Sequence, residues 1–249
     1  INGDWSSDVC SSDLTLWTIP MNIKTSLALI ASAAVLSGCG SVNSMLNETT
    51  QTHEFFRIYD VKTSADVDDL GDALEAGMKY NLNNPQIHRP IVMAPVPKEP
   101  GRFTTDDTMT NTNLGRLMKT YGQTDLGLKT MVCKDSPWQA RGTRFSSGDW
   151  NGVVNVCVFP YQGGYHVDMY GFLTVKQGGI KEVVRSGVYS VMGEPLQWIE
   201  KAMLDTIREA RAKLDAEVSL VEARPKLYGT PWLMDPGADV PTKETAKQK

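Results

Sequence analysis

The sequence predicts an α+β fold: an antiparallel β-meander covered by a long carboxy-terminal helix, with two shorter helices upstream. Three observations carry this. Between Leu128 and Val191, short β-type runs alternate with turn chemistry, which favours hairpins over long crossovers. One of those runs, Tyr165–Val175, alternates so that one face of the sheet is to be buried. Downstream, apolar residues from Leu196 to Val221 recur at helical spacing.

The elements follow in order. His53–Lys62 reads as a strand through Phe55, Phe56, Ile58, Tyr59 and Val61. Thr63 is the expected cap of the first helix, with Asp66 in its first turn. Val67, Leu70, Leu74 and Met78 form its apolar stripe until the Asn81–Pro85 break. Ile91–Ala94 reads as a short strand stopped by Pro95, Pro97 and Pro100. Leu114, Leu117, Met118 and Tyr121 signal a second short helix, capped by Asn113 and followed by Gly122.

Leu128–Lys134, Gly142–Ser146, Val153–Phe159, Tyr165–Lys176 and Glu182–Ser190 are the expected meander strands. Ser147–Gly152, Tyr161–Gly164 and Gln177–Gly179 are their turns. In the fourth strand Tyr165, Val167, Met169, Leu173 and Val175 face a core. His166, Asp168, Tyr170, Thr174 and Lys176 face a partly solvated side, with Phe172 an apolar exception.

Pro195 suits a first helical turn, and Leu196, Ile199, Met203, Ile207, Ala210, Leu214, Val218 and Val221 then line one face. Such a helix would be about 40 Å long, enough to cross the sheet. Glu200, Lys201, Asp205, Arg208, Glu209, Lys213 and Glu217 fill the opposite face. Residues 225–249, with Pro225, Pro231, Pro236 and Pro241, are expected to be a disordered tail.

The amino-terminal part has a different character. Asp4–Leu14 resembles the conceptual translation of a sequencing adapter, so residues 1–20 are expected not to belong to the protein. From Met21 the chain has a short positive region ending at Lys24, an apolar run from Thr25 to Val35, and then Leu36-Ser37-Gly38-Cys39. Residues 21–39 resemble the signal peptide and lipobox of bacterial lipoproteins. The apolar run is shorter than the ~20 residues a membrane-spanning helix needs. The resemblance implies removal of residues 21–38, thioether lipid on Cys39 and acylation of the new amino group with palmitate-type chains, and several chains anchor stably where one does not. Gly40 in place of Asp further implies the outer membrane, with the domain facing the periplasm. Residues 39–52 then form a tether, and residues 53–224 a single domain.

In that oxidising compartment the cysteines can be assigned. Cys10 lies in the adapter-like stretch and Cys39 carries lipid, which leaves Cys133 and Cys157 to form a disulfide. The separation is not Cys-x-x-Cys, so the pair reads as a staple rather than a redox centre.

The 249 residues carry 25 Lys and Arg against 29 Asp and Glu, a formal charge of −4 without a basic stripe, so a nucleic-acid partner is not expected. No zinc-type spacing, nucleophile elbow, phosphate loop or EF-hand register is present, and no cofactor or metal is expected. His166 and Asp168 share a strand face, so a hydrolase using this pair is the alternative reading. Trp150 in a turn, Arg141 and Arg144 flanking the same hairpin, and Tyr161 at the following turn join His166 and Asp168 as the candidate contact residues. The expected function is a non-enzymatic envelope module that binds a protein partner or an apolar ligand between sheet and helix. Its layout resembles helix-grip folds, which constrains architecture rather than activity.

Overall fold

The computed structural model describes residues 49–120, 128–146, 150–177 and 195–241. The adapter-like stretch, the lipobox, Tyr121 and Gly122, the turn at 147–149, the end of the Gln177–Gly179 turn and the predicted Glu182–Ser190 strand lie outside them. The described residues all belong to one unit, Met45–Lys249.

In chain order the elements are β1 (Thr49–Lys62), α1 (Val67–Lys79), β2 (Asn83–His88), β3 (Thr104–Asp106), a 3₁₀ turn (Thr108–Asn111), α2 (Asn113–Thr120) and β4 (Thr130–Val132). They continue with β5 (Trp138–Ser146), β6 (Trp150–Tyr161), β7 (Gly164–Gln177), α3 (Pro195–Leu214), β8 (Glu217–Arg224) and a 3₁₀ turn at Pro231–Leu233. Six strands form one antiparallel sheet in the order β2-β5-β6-β7-β1-β8, and β3 pairs with β4 separately. Thus β5-β6-β7 is the expected meander, while β1 closes onto β7 from the far end of the chain.

The alternation in β7 sets the layers. Val167, Met169, Leu173 and Val175 join Phe55, Tyr59 and Val61 of β1 and Val154, Val156 and Val158 of β6 in the main core under α1 and α3. The helices cross closely, because a side chain at Gly77 of α1 would run into the Asp205 carbonyl and Thr206 Cα of α3. Between α3 and the sheet, Met169, Leu173, Ile199 and Met203 are fully buried. Gly171 is required there, since an added Cβ would lie 2.7 Å from Met203 Cε and 2.8 Å from the Val153 carbonyl oxygen.

Several expectations are corrected. β1 begins at Thr49, inside the expected tether, because it pairs with β7 from Thr49↔Gln177 onward. Asp66, not Thr63, caps α1: its Oδ1 accepts the N–H groups of Asp68 (3.0 Å) and Asp69 (2.8 Å). The Asn81–Pro85 break runs into an edge strand, and Pro85 is tolerated because the register shifts between Asn83 and Gln86. Ile91–Ala94 forms no strand; Ile91 and Met93 are more than nine-tenths exposed. Asn113 lies within α2, whose Thr112 hydroxyl accepts the Gly115 N–H at 2.9 Å, and Leu114, Leu117 and Met118 face outward. β4 keeps only Thr130–Val132 of the expected Leu128–Lys134 strand, because its partner is β3 rather than the large sheet.

The largest correction is at the carboxy-terminal helix. α3 ends at Leu214, where Asp215 takes a left-handed φ of 46°, and Val218 and Val221 belong to β8 on the edge of β1. Asp205, Arg208 and Glu209, assigned to a solvent face, are buried. Two segments cover them: α1 lies over Glu209, which accepts the Tyr80 hydroxyl at 3.1 Å, and the tail is not loose but held on α3 from Pro231 to Asp239 by hydrogen bonds to Lys201, Asp205, Arg208 and Arg211. Arg208 donates to the carbonyls of Pro231 (2.9 Å) and Ala238 (2.7 Å) and pairs with Asp205 at 3.0 Å, while Asp205 accepts the Gly237 N–H at 3.0 Å.

The other sheet face is covered as well. Phe103 lies between Phe56 and Tyr170, with ring centroids 6.1 and 5.7 Å away, over a second small core of Val153, Tyr170 and Phe172. This face was expected to be partly solvated. It is roofed at its centre by Phe103 and Met131, which pack over that small core and which the alternation of β7 alone does not reveal.

Candidate functional site

Sheet registers separate the six candidate contact residues. Trp150 and Arg144 lie on the helix face, where Trp150 packs on Trp198 of α3 at 4.8 Å and the Arg144 guanidinium stands 5.8 Å above the same indole. Trp150 is therefore a strand residue packed on the core rather than a turn-borne contact. Trp198 is fixed in turn by donating Nε1–H to the Asn81 carbonyl at 3.1 Å.

Tyr161, His166 and Asp168 lie on the outer face. β1 sets Asp60 opposite His166 and Ile58 opposite Asp168. Tyr161 donates its hydroxyl to Asp60 Oδ1 at 2.6 Å and presents its ring edge to His166 at 5.7 Å. That hydrogen bond pushes the Tyr161 phenol up to about 12, so it stays protonated and is a poor nucleophile at neutral pH. Burial lowers the His166 pKa, against an upward pull from Asp60 and with a downward one from Arg102.

Asp168 is fully buried. One oxygen accepts the Phe103 N–H at 3.0 Å, while Oδ1 has no hydrogen-bond partner. Burial pushes its pKa up to about 6; the Phe103 hydrogen bond and Arg102 oppose this, and Glu222 adds to it. Asp168 thus ties the roof to β7 through the Phe103 N–H. Arg102 also pairs with Glu222 of β8, and Gln162 donates its N–H to the Pro97 carbonyl at 2.9 Å.

Cys133 and Cys157 are joined in a disulfide, with Cα atoms 6.2 Å apart, and tie the roof to β6. The bond spans 24 residues of sequence. Reduction is expected to lower the unfolding free energy by about 3–4 kcal/mol, read as a lower denaturant midpoint in dithiothreitol. An unchanged midpoint would show that the roof is held without it.

Arg141 lies apart from these groups, in a cleft of about 320 Å³ beside the disulfide that Gln86, His88, Gln139 and Asn155 also line. A second, more apolar cleft of about 380 Å³ runs under the proline-rich segment Val92–Gly101 and is floored by Phe159 and Pro160. Neither cleft is lined by Tyr161, His166 or Asp168. Among the described residues no group of three or more His, Cys, Asp or Glu side chains is placed to hold a metal ion, and no helix is long and apolar enough to cross a membrane.

Sequence reasoning selected Arg141 but missed the partners around it, because Gln86 and His88 come from a strand it did not assign. Phe103 was missed as well; its only signal is an aromatic residue after a run of prolines. Comparison of the chain with protein-family models, with curated proteins and with solved structures returns no match.

Proposed function

We propose that this chain is a lipid-anchored lipoprotein of the cell envelope, held at the outer membrane through Cys39 and facing the periplasm. It acts there as a non-enzymatic binding or assembly module for a protein partner. The anchor rests on Leu36-Ser37-Gly38-Cys39 closing an apolar run of signal-peptide length.

The observation that carries the partner reading is the exposed apolar segment before the roof. Ile91 is 92%, Met93 93% and Val96 53% exposed, which is unusual for three large apolar side chains so close in sequence. An apolar ligand between helix and sheet finds less support, since Met169, Leu173, Ile199 and Met203 fill that space.

A photo-crosslinking residue at position 93, in cells with native membranes, is expected to give one discrete protein adduct. The adduct should be lost with Ile91→Ser at unchanged protein level. Cys39→Ser is expected to release the chain from the membrane fraction. Absence of an adduct overturns the partner reading, and membrane retention of Cys39→Ser overturns the anchor.

A further inference from the structure

We infer that the cleft beside the Cys133–Cys157 disulfide binds a terminal carboxylate carried next to an amide. That chemistry is shared by an N-acylated amino acid and the carboxy terminus of a peptide. The site is separate from the Ile91–Val96 surface, so either can fail without the other.

Strand pairing builds the cleft. Gln86, Arg141 and Asn155 are direct cross-strand partners on β2, β5 and β6, and His88, Gln139 and Cys157 form the next row. Opposed side chains on antiparallel strands stand about 4.5–5.5 Å apart. Arg141 therefore stands beside Asn155 on one sheet face, with Gln139 in the adjacent row.

Arg141 is exposed to the cleft and makes no ion pair or hydrogen bond with another described side chain. Among the described residues that line the cleft none is Asp or Glu. The planar fork matches a carboxylate through two parallel hydrogen bonds.

The two amides supply the complementary half. Asn155 commits its Nδ2 to the Tyr170 carbonyl at 3.3 Å. Gln139 commits its Nε2 to the carbonyls of Cys133 (3.0 Å) and Ser136 (3.3 Å). With the NH₂ groups held by the fold, both side chains are left with oxygens able to accept a ligand N–H. Met131 and the disulfide give an apolar wall against which a small side chain can rest. The arrangement therefore selects for a ligand that brings both an anion and a donor.

Titration of the full chain with N-acetyl-alanyl-alanine, followed calorimetrically, is expected to show saturable binding. The carboxy-terminal amide of the same dipeptide should bind about tenfold or more weaker, as should the acid to Arg141→Gln. Arg141→Lys should fall between the two. Arg141 is a surface strand residue, and an unchanged melting temperature verifies that these variants stay folded. N-acetyl-alanine binding as well as the dipeptide would identify a small-molecule site, and a gain with each added residue a peptide terminus; both support the assignment. No saturable binding by the wild-type chain, equal binding of acid and amide, or unchanged binding by Arg141→Gln overturns it.

Discussion

Arg208→Ala is expected to destabilise the fold by about 3–5 kcal/mol, the loss typical of breaking a buried ion pair from one side. Arg208 is fully buried and Asp205 nearly so. Alanine would leave Asp205 without its guanidinium partner and the carbonyls of Pro231 and Ala238 without their donor. Burial alone would raise the Asp205 pKa. Hydrogen bonds from Asn81, the Gly237 N–H, Arg208 and Lys201 outweigh it and hold the carboxyl below its usual range. The group facing Arg208 is therefore an anion at neutral pH, and removing the cation is costly. Residues 225–241 should also become protease-sensitive before the rest of the domain unfolds, since Arg208 donates to several of their carbonyls. Urea unfolding and limited proteolysis read the two effects separately. A shift within about 0.5 kcal/mol, the range of ordinary surface substitutions, would show that this segment is not held through Arg208.

Asp168→Asn is expected to stabilise the protein at neutral pH and to flatten its pH dependence. The folded pKa of about 6 lies above the ordinary 3.8, so the native state keeps a proton that the unfolded chain has already released. Stability from this group is greatest below the unfolded value. It falls as pH rises through the window from 3.8 to about 6, and the penalty is complete above that. The window corresponds to about 3 kcal/mol. Asparagine cannot ionise, and its carbonyl oxygen can still accept the Phe103 N–H. The groups that bear on Asp168 are Arg102 on the roof and Glu222 on β8, and they act in opposite directions. Denaturant midpoints of both proteins at pH 4.5 and pH 8 provide the comparison. Parallel profiles would show that Asp168 is not the group responsible.

How much was legible depends on how local each cause was. The stripe Leu70, Leu74, Met78 and the alternation of β7 identified buried faces correctly, because each face packs on one continuous partner. The helical period through Val218 and Val221 misled, because Val218 and Leu220 alternate with Ser219 and Val221 equally well as a strand, in which Val218 is buried and Val221 faces outward. What ends the helix is one residue, Asp215, in a left-handed conformation. Arg141 was singled out only as a cation near a turn. Its setting became visible once β2 delivered Gln86 and His88 to the same sheet face.

By itself the sequence determined the α+β class, the β5-β6-β7 meander, the core face of β7 and the Cys133–Cys157 pairing. These rest on short-range periodicity, turn chemistry and a count of cysteines. Only the tertiary structure decided that β1 lies between β7 and β8, that the roof seals Asp168 beneath Phe103, and that Asp205 and Arg208 are interior. The physical reason is that burial of a polar side chain depends on what arrives from elsewhere in the chain. Periodicity specifies which residues share a face, but not whether water or a distant segment will cover it.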